Sequence, residues 1–502
     1  MGFYGQDTFS VRPGLSLDLG LRYEFTTLVH DEMNRDVYLP NPMRDSVLQT
    51  GRFLESNPSL KNFSPRLGLS WSPFGPRGMV IRAGAGIYYD QLLEYIVDKR
   101  KNSAPFYQRA VRTNFNAQPY PLKDAVRAVL EANIPFHVEV LDYKTDSTPV
   151  VLRYDFSLQQ DLPGGLNASF AYVGARGNHL YRSFEANELP LPDVRADGSL
   201  FFPAQCSQLP ANASASDRQT CRAYAGPINP AFSTISYTTA DAQSFYNSLR
   251  ISLSKRLGQA ASIQGSYTFS KSIDDSSSDS FEAGQYGWDR TENRGLSDFD
   301  VRHRIVFNYF YNLPFGAGHS WLNSGIASTI LGGWRIGGIV NWRTGVPYSA
   351  TVSMRSQGYL FAPSRPSLKA GSSNNPTEGT TAGCGPIPAG QQLGTRDRYY
   401  DPCAFAPPAA GTVGNLARNS IIAPSVFNMD MSLQKDFSID SKRQLQFRAE
   451  VFNLPNHTNF NMNQGGSTIV FRGSGSINPT SGRLGSTATT ARQIQLALRL
   501  SF

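Results

Sequence analysis

The sequence predicts an all-β protein: an antiparallel transmembrane β-barrel with long loops at one end and short turns at the other. Three observations point there. Apolar and polar residues alternate one for one over stretches of about ten residues, the length of a tilted spanning strand. Connections between those stretches alternate short and long along the whole chain. Of the 502 residues only 17% are charged while 12% are aromatic, with 44 Gly and 32 Pro. That composition disfavours disorder, because aromatic and β-branched residues are plentiful. A helical membrane bundle is also disfavoured. The most apolar stretch, Gly325 to Trp342, holds Arg335 and five glycines, whereas a spanning helix needs about 20 mostly apolar residues. The net charge of +8 is spread rather than clustered, so nucleic acid is not an expected partner.

The elements follow in chain order. From Leu15 the apolar set is Leu15, Leu17, Leu19, Leu21, Tyr23 and Phe25, with Ser16, Asp18, Gly20, Arg22 and Glu24 between. Every second side chain of a strand points to the same face, so this pattern gives one apolar and one polar face, which a helix cannot do. The same alternation recurs at Phe63 to Trp71, Leu152 to Leu158 and Leu249 to Leu253. Further along it marks Ile263 to Phe269, Phe427 to Leu433 and Ile494 to Phe502. About 13 strands are expected in all.

Short links fall at 12–14, 73–78, 162–165, 257–259 and 439–442, with a medium one at 313–333. Long segments fall between them, at 28–60, 91–148, 177–242, 271–298, 351–424 and 456–490. A sandwich has no reason to put every long loop at one end, but an outer-membrane barrel does: its periplasmic turns are short and its extracellular loops long. The bilayer then meets the apolar face, and closing the sheet satisfies every backbone group. Under this reading the first strand runs inward from outside and the last ends at Phe502 in the periplasm. A complete barrel has an even strand number and both ends in the periplasm. Residues 1–502 are therefore expected to be a partial barrel domain, the C-terminal part of a larger one. The opening Met-Gly-Phe-Tyr-Gly-Gln-Asp has no signal-peptide pattern, which agrees.

Several stretches carry a family resemblance. Phe3-Tyr4-Gly5-Gln6-Asp7 with Leu17 to Glu24, Asn62 to Gly68, and Arg82-Ala83-Gly84-Ala85-Gly86-Ile87-Tyr88-Tyr89-Asp90 resemble mid-barrel strands of Oar-like TonB-dependent outer-membrane transporters. So do Ser266 to Asp275, Ser297 to Arg304 and Phe447 to Asn453. The resemblance runs in consistent order along nearly the whole chain. It implies a barrel of roughly 22 strands with a plugged lumen, a plug domain and a TonB-contacting segment upstream, and an inner-membrane TonB complex as energy source.

Candidate site residues follow from the faces and loops. Ile494, Leu496, Leu498, Leu500 and the terminal Phe502 form an apolar stripe ending on an aromatic carboxyl terminus, which the resemblance marks as a signal for the barrel-assembly machinery. Cys206 and Cys221 share one long loop, and Cys384 and Cys403 share another. Two intraloop disulfides are expected in an oxidising compartment, in preference to a zinc site, which wants closer ligand spacing. The polar faces carry Arg22, Arg66, Arg82, Arg153, Arg250, Arg302, Arg304, Arg335, Arg448 and Arg499 against few acids. They read either as a basic wall gripping a plug or guiding an anionic solute, or as a generic polar lumen. The run Ile273 to Asp279 lacks the order of a calcium loop and reads as solvated. Trp71, Phe74, Tyr88, Tyr89, Tyr309, Tyr311 and Trp342 read as interface girdles.

The six histidines are scattered, and no HExxH, G-x-S-x-G, Walker loop or CxxC is present. No catalytic residue, cofactor or metal is therefore expected. The leading expectation is the barrel wall of a TonB-dependent transporter, with long loops capturing an unidentified solute. The alternatives are a non-transporting surface barrel acting in adhesion or anchoring, and a secreted carbohydrate-binding sandwich, which the exposed Leu15 to Phe25 stripe disfavours.

Overall fold

The computed structural model describes all residues except 76–77, 93–95, 97, 99–102, 104–105, 108–135, 188–191, 199, 203–227, 259, 279–284, 317–320, 354–364, 410, 440–442, 463–465 and 474. Among the described residues, thirteen long strands follow one another in an unbroken antiparallel path. They are β1 (Gly2–Arg12), β2 (Leu15–Glu24), β3 (Phe63–Trp71), β4 (Val80–Tyr89), β5 (Val150–Leu162), β6 (Leu166–Glu185) and β7 (Phe232–Leu257). The path continues through β8 (Ala261–Asp274), β9 (His303–Asn312), β10 (Trp334–Arg343), β11 (Val426–Ser438), β12 (Gln444–Phe452) and β13 (Gln493–Ser501). Each strand pairs with its neighbours in sequence, as hairpin-connected strands of a meander do. Short strands at Phe136–Leu141 and Gly295–Leu296 pair onto β7 and β8 and bring the sheet to 15 strands. β1 and β13 are its two edges.

Register converts the sequence alternation into faces. Leu249 lies opposite Phe269, Ile251 opposite Tyr267, and Leu253 opposite Gly265, while Ser248 faces Ser270 and Arg250 faces Thr268. One face is thus apolar and the other polar across the sheet. The apolar face is left open: Leu67, Phe156, Phe170, Leu249 and Ile305 are all exposed. A water-soluble sheet would bury such a face; a lipid-facing one need not.

The packed apolar clusters lie instead in the long connections. The largest gathers Tyr400, Phe405, Leu416 and Ile421 from the β10–β11 connection with Met462, Val470, Phe471 and Leu484 from the β12–β13 connection. A parallel strand pair, Thr351 and Val352 beside Ile469 and Phe471, joins the two. The second gathers Leu39, Val138, Val140, Phe184 and Ile235, and the third Phe53, Leu54, Ile96 and Leu141. These connections are therefore folded caps with cores of their own.

One expectation needs correction. The segment 177–242 is not a loop throughout. β6 has 20 residues and β7 has 26, about twice what a tilted strand needs to cross a bilayer. At roughly 3.3 Å per residue β7 extends on the order of 85 Å, so the β6–β7 hairpin stands well beyond the membrane. Its upper part pairs Ser236 with Glu185 and Thr238 with Ser183, and Phe136–Leu141 runs parallel to it.

Candidate functional site

The polar face is built from strands whose even or odd positions are set by register. Arg22 lies opposite Ser64, and Gly20 opposite Arg66. Arg66 and Arg153 each lie opposite Gly86, and Arg82 lies between Ser70 and Ser157. Further round, Arg250 faces Thr268, Thr268 faces Arg304, and Gln434 sits between Arg335 and Arg448. Arg499 opposes Gln446 on the last strand. Nine of the ten arginines are thus on one face.

Arg302 is the exception. It precedes β9, where strand alternation no longer applies, and its guanidinium sits 5.8 Å from the Phe269 ring centroid, on the apolar face. Asp300 lies 3.7 Å from it. Conversely, Arg343 was not singled out, yet it stands opposite Arg304 on the polar face. Its parity with Arg335 on the same strand is the signal that marks it.

The glycines of the Arg82 to Tyr88 stretch make room on this face. Gly84 and Gly86 share parity with Arg82 and Tyr88, and a Cβ at Gly86 would meet the Tyr88 ring at 3.2 Å. The ring folds down over that bare backbone. Arg66 and Arg153 approach it with their guanidinium carbons 4.8 and 5.3 Å from its centroid. Tyr88 therefore belongs to the polar face and not to an interface girdle. Trp71, Tyr309, Tyr311 and Trp342 do lie on the apolar face, opposite Leu15, Gly338, Ile336 and Ile305 respectively.

Local pairing neutralises part of the basic wall. Arg22 meets Glu24 at 2.6 Å, Arg448 meets Glu450 at 3.7 Å, Arg82 donates to Gln159 at 3.0 Å and Arg335 donates to Asn312 at 2.9 Å. Arg250, Arg304 and Arg343 have no ion pair among the described residues. Arg250 and Arg304 line a cleft of 460 Å³ with Tyr246, Ser248, Thr268 and one carboxylate, Asp300. Arg304 and Arg343 stand directly opposite one another, and like charges so placed on a polar wall favour an anionic occupant.

Above the wall, buried polar contacts tie the caps to the strand ends. The Arg365 guanidinium donates to the carbonyls of Leu416 and Glu292 and to Asn293 Oδ1. Burial pushes the Glu292 carboxyl up, opposed by Arg365, and pushes the Arg365 guanidinium down, opposed by Glu292. Arg182 forks onto Asp241 at 2.7 and 2.9 Å. Glu185 accepts from the Ile235 and Asn187 amides; burial raises its carboxyl pKa, and those two bonds oppose the rise. The Ile273 to Asp279 run proves to be buried at its start. Asp274 is held by Arg418 and Asp275 by Arg290 at 2.6 Å, so these carboxylates are consumed within the protein.

Cys384 and Cys403 are bonded to one another within the largest cap, 19 residues apart. Cys206 and Cys221 lie outside the described residues. Leu496, Leu498, Leu500 and Phe502 are all exposed along the β13 edge, Phe502 at 93%. Among the described residues no group of His, Cys, Asp and Glu is arranged to hold a metal ion, and no helix is long and apolar enough to cross a membrane.

Solved structures to which the chain is similar include the outer membrane transporter YddB from Escherichia coli, at 12% identity and a TM-score of 0.45, covering all of this chain and 44% of that one. The P. aeruginosa FpvA–pyoverdine–iron complex is similar at 12% identity and TM-score 0.42, covering 100% of this chain and 38% of FpvA. The FrpB iron transporter from Neisseria meningitidis is similar at 10% identity and TM-score 0.41, with 100% and 44% covered. The chain thus spans less than half the length of these proteins. No curated protein matches it in sequence. Residues 1–495 match the outer membrane beta barrel domain family, and with the lipid-facing sheet described above, the chain belongs to that family and resides in the bacterial outer membrane.

Proposed function

We propose that the chain forms the barrel wall of a TonB-dependent transporter of the Oar-like kind, taking up a solute captured by its extracellular caps. One observation carries the reading: a meander of antiparallel strands presents arginines along one continuous polar face while folded caps crowd the long-loop end. The arginine wall suits a plug carrying carboxylates, or an anionic solute on its way past one. The unpaired edges β1 and β13 would expose backbone groups to lipid, which supports further strands closing a barrel of roughly 22. The apolar stripe ending at Phe502 serves as the recognition segment for the barrel-assembly machinery. No catalytic step is assigned.

The test is to isolate the native protein from outer membranes and measure its binding to the periplasmic domain of TonB. Binding through a segment upstream of the barrel is expected. A native protein that neither carries such a segment nor binds TonB would overturn the proposal. It would favour a non-transporting surface barrel that anchors or adheres through its caps.

A further inference from the structure

The β9–β10 connection is the medium link, longer than the five short ones. Its residues 313–333 contain no Asp, Glu, Lys or Arg, whereas the shorter links 12–14, 73–78 and 439–442 already hold Arg12, Arg77 and Lys442. Among the described residues it is also the one of these links that holds a helix, α1 (Gly325–Leu331). Seven residues are far too few for a helix to persist in water by itself. Its last carbonyls lack intrahelical partners, and those of Thr329 and Ile330, with that of the following Gly332, accept from the Lys435 ammonium at 2.6, 2.7 and 2.8 Å. The Trp334 indole donates to the Ile330 carbonyl as well, at 3.0 Å.

Lys435 stands on the apolar face. It lies opposite Trp334 and Phe447, and Phe447 lies opposite Leu498. A bare ammonium in that row would be costly against lipid. The helix end covers it to 2% exposure and supplies the negative end of the helix dipole. Through this lysine α1 is held against the lipid-facing side of the strands, not under the lumen. What the link then shows outward is mostly apolar: Trp321, Leu322, Ile326, Ile330 and Leu331, with Ile326 79% exposed, beside the uncharged Asn323, Ser324 and Thr329.

We infer that residues 321–333 of this link form an interfacial foot, lying in the periplasmic leaflet of the outer membrane with its apolar side chains among phospholipid acyl chains. The surface is continuous with the strand face already in lipid, it carries no charge to repel or orient a protein partner, and it faces the leaflet that short turns border. Such a foot sets the depth at which the barrel sits. This inference rests on the outer-membrane location, not on the transport proposal, and survives if TonB binding fails.

The test compares Trp321 fluorescence in the native protein with that of a Trp321→Phe variant, both in phospholipid vesicles with and without brominated acyl chains. The difference signal isolates Trp321. Loss of most of that signal in brominated lipid, with little loss to aqueous acrylamide, is expected. Quenching by acrylamide alone would place the link in water and overturn the inference. Protection from both quenchers would mean that a protein or a second copy covers the surface, which overturns it equally. Trp321→Phe removes no hydrogen bond seen from its side chain, so the variant folds; heat-modifiable migration on gels checks this.

Discussion

The guanidinium of Arg418 and the carboxylate of Asp274 form an ion pair across 144 residues of chain, with side chains 4% and 2% exposed. Asp274 ends strand β8 and Arg418 belongs to the β10–β11 cap, so the pair rivets the cap to the top of the wall. Arg418 also donates to the Asp274 carbonyl at 3.2 Å, and Asn419 beside it donates to the Leu296 carbonyl at 2.7 Å. Burying both charges is repaid only by their mutual contact and by such additional bonds.

Arg418→Met leaves the Asp274 carboxylate buried without its partner and should destabilise the cap by about 3–5 kcal/mol. The double variant Arg418→Met with Asp274→Leu should recover much of that loss. Hydrogen exchange of the cap amides in the detergent-solubilised protein reads both. A single variant no less protected than wild type would show that the pair is not a rivet.

The Cys384–Cys403 bond closes a loop of 19 residues. In the chain-entropy account a loop of that size is worth about 3 kcal/mol. Replacing both cysteines by serine should make the cap more sensitive to limited proteolysis, with the thirteen-strand path unaltered. Reduction of the wild type should reproduce the effect. Unchanged cleavage would mean the surrounding apolar cluster holds the cap by itself.

Glu185 is a buried acceptor whose carboxyl pKa is raised, chiefly by burial. A raised pKa in a carboxyl means that the folded hairpin binds the proton better than the unfolded chain does. Its contribution to stability is therefore greatest in acid and declines as pH rises through the shifted value. Glu185→Gln keeps an oxygen to accept from the Ile235 amide and removes the titration. Proteolysis of the β6–β7 hairpin should accelerate from acid toward neutral pH in the wild type, and that slope should flatten in the variant.

Lys435→Met removes three bonds to the carbonyls at the end of α1 without adding a charge to the apolar face. Exchange of the amides over 325–332 should speed by at least about tenfold, as expected if these bonds are worth over 1.4 kcal/mol together. The strand amides of β10 and β11 should stay protected. Equal exchange in both proteins would mean that the lysine does not hold the helix.

How much of this was legible in the sequence differs by element. Leu15 to Phe25, Leu249 to Leu253 and Ile494 to Phe502 declare their strands and faces, because lipid on one side forces strict alternation. The run of short and long links declared which strands are neighbours, since a hairpin turn leaves no other partner in reach. The upper parts of β6 and β7 were missed because nothing beyond the bilayer imposes that alternation; the β-branched stretch Thr234 to Thr239 was their only local trace. Tyr88 was misplaced by residue type where its parity with Arg82 and Gly86 would have placed it correctly. Arg302 was misplaced for the opposite reason, since parity was extended past the end of its strand.

By itself the sequence determined the all-β class, the order of the strands, the two faces and the membrane they imply. Each of these is set by residues within a few positions of one another, where the pleat repeats every two residues. Only the tertiary structure decided that Arg418 reaches Asp274, that Tyr400 of one connection bonds to Ser467 and Ser481 of another, and that Lys435 closes α1. Those partners lie 67 to 144 residues apart. No local period links them; the first two meet because the sheet brings its long connections together at one end, and Lys435 meets α1 because β10 and β11 are paired neighbours at the other.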